Sequence, residues 1–166
     1  MIFALLPAWG LANAAATLVG QNLGAGNPER AEKTVWRVAF LNMIVLGIIS
    51  IIFIAFAADI AGLFTKDAGV LEYGSLSLKI VSIGYVFYAV GMVMPAAFNG
   101  AGDTFTPTLI NFFGFWCFQI PLGYLLAIPF GYGPLGVFIS IPVCETLIAI
   151  AGIILFRRGK WKKTIV

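Results

Sequence analysis

The charges in this chain of 166 residues are confined to a few short segments. Residues 1–28, 38–58, 80–102 and 104–144 contain no Asp, Glu, Lys or Arg. A hydrocarbon core about 30 Å thick takes roughly 20 helical residues to cross, and an ionised side chain inside it is costly. Each run is long enough. Composition agrees: 61% of the residues are hydrophobic and 10% charged, where an average soluble domain is about 25% charged. A soluble globule of this size has too much surface to hide so many apolar side chains. The 19 Gly show no three-residue period and the 2 Cys cannot make a framework, which excludes collagen-like and disulfide-rich classes. A β-barrel is disfavoured, because the runs lack polar residues at every second position. The chain reads as an all-α integral membrane protein.

The run 104–144 is too long for one helix, and Pro129-Phe-Gly-Tyr-Gly-Pro134 splits it with turn residues. Five transmembrane helices are expected, near 2–22, 35–58, 72–98, 104–128 and 134–156, followed by a basic tail 157–166. The first span is not read as a cleavable signal, because the first basic residue, Arg30, follows the apolar stretch instead of preceding it. Arg30, Lys33 and Arg37 flank the second span, and Arg157, Arg158, Lys160, Lys162 and Lys163 follow the last. The loop 59–71 offers only Lys66. The excess of Lys and Arg puts 23–34, 99–104 and the tail in the cytoplasm and the N-terminus outside. An outward N-terminus is an odd beginning for a complete small membrane protein, and a fragment is expected.

The two cytoplasmic turns resemble each other. One reads Asn22-Leu-Gly24-Ala25-Gly26-Asn27-Pro28-Glu29, the other Asn99-Gly100-Ala101-Gly102-Asp103-Thr104. Each ends a helix with glycines able to adopt φ > 0 and starts the next with an Asn or Asp cap, Pro28 taking the first helical position. A phosphate-cradling loop is the alternative, but no Gly-Lys-Ser/Thr follows and no strand precedes.

These residues carry a resemblance. The stretch Gly10-Leu-Ala-Asn-Ala-Ala-Ala-Thr-Leu-Val-Gly-Gln-Asn-Leu-Gly-Ala-Gly-Asn-Pro-Glu-Arg-Ala-Glu32 resembles the eighth-helix signature of the multidrug and toxic compound extrusion (MATE) transporters. Asn99-Gly-Ala-Gly-Asp-Thr-Phe-Thr-Pro107 resembles the turn between that family's tenth and eleventh helices. The resemblance covers nearly the whole chain. It implies a twelve-helix antiporter of two six-helix lobes that expels drugs, xenobiotics and other organic cations or amphipathic compounds in exchange for Na⁺ or H⁺. This chain would be helices eight to twelve, a partial C-terminal lobe in a bacterial cytoplasmic (inner) membrane. Its partners would be small organic substrates, membrane lipid and the missing N-terminal lobe. Na⁺ or H⁺ would be the coupling ion, with no other cofactor.

The first helix has the clearest polar stripe. Gly10, Asn13, Thr17, Gln21 and Gly24 follow steps of 3, 4, 4 and 3 and share one face. Beside it Ala12, Ala16, Gly20 and Gly24 repeat every four residues, a spacing that lets helix backbones approach closely in lipid. The amides are candidates for a substrate cavity, with interhelical hydrogen bonds the alternative the small-residue spacing favours. In the fourth helix Thr108, Asn111, Phe115 and Gln119 form a similar face, and in the third Ser75, Ser82, Tyr85 and Met92 do. Aromatic rings and Met beside isolated polar groups suit bulky organic cations, and also suit ordinary packing. Pro121 and Pro142 each remove a backbone donor within a span and are expected to kink it.

Glu145 is the most informative single residue. It lies twelve residues before Arg157, roughly 18 Å from the cytoplasmic end at 1.5 Å per residue. An ionised carboxylate there costs on the order of 3 kcal/mol. It is expected to face protein or a cavity, to be protonated, or to find donors such as Gln119. It is the candidate for cation coupling, with a neutral packing acid as the bland alternative. The sequence departs from the family elsewhere. Some members carry an acid midway along the tenth helix, but no Asp or Glu lies between Lys79 and Asp103. Others use acids on the seventh and eighth helices, and residues 1–28 have none.

Enzyme chemistry has little to work with: there is no His, and Cys117 and Cys144 lack metal-ligand spacing. Nucleic acid is not an expected partner. The basic tail suits anionic lipid or simple anchoring. Two other functions stand beside the antiporter, a lipid-linked saccharide flippase of the same superfamily and a membrane assembly subunit that moves nothing. A flippase would want cationic cavity residues, and no Arg or Lys lies between Lys79 and Arg157.

Overall fold

A computed structural model describes residues 2–163, and side chains from Leu5 to Lys162. Lys163 as a side chain and the tail residues 164–166 lie outside the described residues. The described chain is helical throughout, joined by short turns: α1 (Ile2–Gly24), α2 (Pro28–Ala55), α3 (Ala57–Gly62), α4 (Ala68–Ile83), α5 (Tyr85–Gly100), α6 (Phe105–Asn111), a π-helical segment (Phe112–Gln119), α7 (Ile120–Ala127) and α8 (Pro134–Arg157). A 3₁₀ turn, Lys160–Lys163, follows. α2, α8 and the unit from α6 through α7 are each long and apolar enough to cross a membrane, and α4 with α5 makes a fourth if the bent pair is one span. α1 is 23 residues long, carries no charged side chain, and holds Asn13, Gln21 and Asn22.

The turns form as backbone chemistry requires. Gly26 (φ 71°) and Gly102 (φ 80°) take left-handed conformations that a side chain would strain. Asp103 Oδ1 then accepts the Thr106 N–H at 3.0 Å, and Asp67 Oδ1 accepts the Val70 N–H at 3.0 Å. Asn27 departs from expectation. Its side chain donates to the Ala25 carbonyl at 3.1 Å instead of capping α2, which is started by Pro28 with its pre-set φ. α2 consequently begins seven residues before the expected span, with Glu29, Arg30, Lys33 and Arg37 on its first turns.

Two breaks in the regular α-helix shape the bundle. α4 and α5 meet at 57°, with Gly84 between them. A Cβ on Gly84 would lie 2.6 Å from Pro142 Cβ, so the bend and the proline of α8 occupy one contact. The π segment widens the α6–α7 unit where Cys144 Sγ donates to the Gly114 carbonyl at 3.1 Å.

Small residues set the remaining crossings. α1 and α5 touch at backbone level: a Cβ on Gly100 would stand 2.2 Å from the Ala16 carbonyl oxygen. The α7–α8 hairpin closes the same way at Gly136, where an added Cβ would meet Leu126 and Ala127 backbone at 2.5 Å. Lipid provides no hydrophobic drive between helices, so such close backbone approaches carry the association. The core, with Val19, Val35, Val93, Met94, Ile148 and Phe156, sits where α1, α2, α5 and α8 meet.

Candidate functional site

A cavity of about 260 Å³ opens where α1, α5, α6 and α8 converge. Glu145 lies on its wall, 6% exposed, and is the only charged side chain among the lining residues. α8 presents Glu145 and Ile148 one turn apart, and Gly91 on α5 makes the room beside them. From α5 come Tyr88, Met92, Pro95 and Asn99, at steps of 4, 3 and 4 and hence on one face. α1 contributes Trp9 and Asn13, and the α6 unit contributes Asn111 and Phe115.

Five of the expected site residues therefore share one space: Asn13, Met92, Asn111, Phe115 and Glu145. Four do not line it. Thr17 donates its hydroxyl to the Asn13 carbonyl at 3.1 Å, a bond within α1. Gln21 is exposed further along the same helix. Gln119 ends the π segment, half-buried and outside the lining. Tyr85 is 1% exposed and packs into a separate cluster, its ring 6.1 Å from Phe53 and 6.5 Å from Tyr88.

Tyr85 shares the α5 face of Tyr88 and Met92 but lies a turn nearer the bend at Gly84, outside the lining and buried with Ser82. In the π segment each residue turns less about the axis than in an α-helix, so the Asn111–Phe115–Gln119 row drifts. Trp9, Tyr88 and Asn99 were missed. The signal for Tyr88 and Asn99 was present, as members of the row 88–92–95–99 starting after the glycine.

Chemically, the cavity offers one carboxyl group, three amides, a phenol, a thioether and two further aromatic rings. The carboxylate can balance a positive charge, the ring faces attract cations through their quadrupoles, and the Met sulfur adapts to irregular shapes. Amide oxygens can accept hydrogen bonds or face a small hard cation. Among the described residues no group of His, Cys, Asp and Glu is placed to hold a metal ion.

Residues 1–125 match the family model described as MatE. Over 158 residues the chain is 28% identical to the probable multidrug resistance protein NorM of Thermotoga maritima, covering 95% of this chain and 34% of that protein. It is 31% identical over 153 residues to a protein of the same name from Mannheimia succiniciproducens, covering 89% and 32% respectively. Among solved structures, the MATE transporter ClbM in complex with Rb⁺ superposes with a TM-score of 0.91 at 24% identity, covering 99% of this chain and 39% of that one. An inward-facing multidrug resistance MATE family transporter superposes at 0.89 with 22% identity, covering the same shares. The chain thus spans about a third of the length of the curated relatives it matches.

Proposed function

This chain belongs to the MatE family, and on that footing we propose that it forms the C-terminal part, helices eight to twelve, of an antiporter exporting organic cations, drugs or other xenobiotics against Na⁺ or H⁺. The family's fold as part of one lobe, in an integral membrane protein, is the firm ground for this reading. The observation that carries the rest is Glu145 as the sole charged group of an amide- and aromatic-lined cavity.

The mechanism follows from charge balance. A lone carboxylate at this depth is costly on the order of 3 kcal/mol. A proton, a small cation or an organic cation can each remove that cost, and the site holds only one such charge. The three compete. Competition at one carboxyl group, presented alternately to the two sides by relative movement of two lobes, gives exchange. Asn13, Asn111 and Tyr88 orient a bound molecule, while Phe115, Trp9 and Met92 supply its apolar contact. Thr17, Gln21, Tyr85 and Gln119 have no direct part.

The orientation proposed for this reading has the C-terminal end of α8 and the start of α2 in the cytoplasm. Both lie together in the fold: Lys162 pairs with Glu32, and the Arg157 guanidinium sits 5.6 Å from the Trp36 ring centre. The acidic cavity favours cationic cargo over the anionic headgroup of a saccharide flippase.

Purified chain in lipid nanodiscs, titrated with a fluorescent organic cation, tests the site. Binding should weaken as pH falls or as Na⁺ replaces K⁺. Glu145→Gln should weaken it at least about fivefold, the equivalent of ~1 kcal/mol, and abolish the displacement. Unchanged dye binding and displacement in Glu145→Gln overturns the assignment.

A further inference from the structure

A second depression, of about 600 Å³, runs between α8 and the α6 unit. Its walls are two stripes at four-residue steps: Phe105, Leu109 and Phe113 on one side, Leu147, Ala151 and Leu155 on the other. Phe105 is 70% and Phe113 58% exposed. Side chains of this kind on membrane-spanning helices suit contact with acyl chains.

At the C-terminal end of α8 the character of the groove changes. Arg158 and Lys160 line it there, with Asp103 also present. Both oxygens of Asp103 are engaged by Thr106, from its N–H at 3.0 Å and its hydroxyl at 2.6 Å. Two cations and one carboxylate therefore share this end of the groove, leaving it net positive. From Leu147 to Arg158 is eleven residues, roughly 16 Å of helix at 1.5 Å per residue. That is about half of a ~30 Å hydrocarbon core, the depth of a single leaflet.

The cations are held in place by the fold. Trp161, 1% exposed, stacks on Phe156 with ring centres 4.6 Å apart, and its indole N–H donates to the Phe156 carbonyl at 2.9 Å. Gly159 (φ 68°) makes the turn between them. Lys162 is tied to Glu32 of α2. The segment bearing Arg158 and Lys160 is thus pinned at both ends beside the groove.

We propose that this groove binds one anionic phospholipid, an acyl chain lying between the two stripes and the headgroup phosphate between Arg158 and Lys160. The apolar length, the leaflet depth and the excess of positive charge at one end match the three parts of such a molecule. A zwitterionic lipid fills the groove equally well but gains less from the two cations, because its own positive group meets them.

Native mass spectrometry of the purified chain, offered equal phosphatidylglycerol and phosphatidylcholine, tests this. One phosphatidylglycerol should be retained in preference. A cation near an anionic headgroup is worth roughly fivefold, so Arg158→Ala with Lys160→Ala should reduce the preference about tenfold or more. Lys160→Glu alone, at an exposed position, should reduce it too, and serves if the double variant does not fold. Ala151→Trp fills the groove and should lower retention of both lipids. Lys33→Ala, exposed outside the groove, should leave the preference intact. Equal retention of the two lipids by the unaltered chain overturns the proposal. An equal loss in Lys33→Ala and the double variant also overturns it, since surface charge alone would then account for the preference.

Discussion

Gly91 on α5 faces the carboxyl group of Glu145 on α8, and a Cβ built on the glycine would lie 3.3 Å from Glu145 Oε2. The missing side chain is what gives the acid its opening to the cavity. Gly91→Ala asks the flexible carboxylate to give by a few tenths of an ångström and should be tolerated. Gly91→Val should close the opening and weaken binding of an organic cation about as much as Glu145→Gln, at unchanged α-helical circular dichroism. Tight binding by Gly91→Val counts against a carboxylate that works through this face.

Gly100→Ala should destabilise the α1–α5 pair. Its Cβ would fall 2.2 Å from the Ala16 carbonyl oxygen, a backbone atom that cannot rotate away. Overpacking of this kind typically costs about 1–3 kcal/mol. Gly24→Ala, with nothing within 4 Å of the new Cβ, is the matched control and should be neutral. Thermal unfolding in detergent separates the two, and equal melting temperatures would remove Gly100 from the packing argument.

Tyr85 and Ser82 bury hydroxyl oxygens that make no hydrogen bond of good geometry among the described residues, the only side-chain partner in reach of the phenol there being the Ser82 hydroxyl. An unpaired buried hydroxyl costs about 1–3 kcal/mol, so its removal with the ring kept should cost nothing. Tyr85→Phe is expected to melt at or above the temperature of the unaltered chain. Tyr85→Ala, which empties a fully buried site, should lose about 3–5 kcal/mol. A large loss in Tyr85→Phe would reveal a hydroxyl contact that this packing does not contain.

Topology can be read by cysteine accessibility in a chain with Cys117 and Cys144 replaced by Ala. Asp67→Cys and Tyr132→Cys, both at exposed turn positions, should label from outside. Lys33→Cys, exposed on the first turns of α2, should label only after permeabilisation. Trp161 is unsuitable as a probe because it is buried under Phe156. Labelling of position 33 in intact cells would invert the proposed orientation.

The 166 residues alone should not drive gradient-coupled transport. Alternating access needs two bodies rearranging around a shared site, and the chain corresponds to about a third of its relatives' length. In liposomes with an imposed Na⁺ or proton gradient, a fluorescent organic cation should stay where it is placed. Gradient-dependent movement would show that copies of this chain can supply both bodies, its exposed Asn13–Thr17 face being the natural contact.

The amino-acid order by itself determined where helices lie and what medium they suit. Charge-free length, the Pro129–Pro134 turn and the glycines at 26 and 102 act locally, through the cost of a charge in hydrocarbon and the φ a turn demands. Asn13 and Glu145 were legible as candidates on the same grounds, one by its stripe and the other by its depth. Which polar side chains share a cavity was decided only by tertiary structure. After the 57° bend at Gly84, α5 opens with Tyr85 packed against Phe53 and reaches the cavity one turn later at Tyr88, and the π segment rotates Gln119 away from it. Periodicity assumes a constant 3.6 residues per turn along one axis. Both breaks depend on contacts with α8, at Pro142 and Cys144, which lie 58 residues from Gly84 and 30 from Gly114 along the chain.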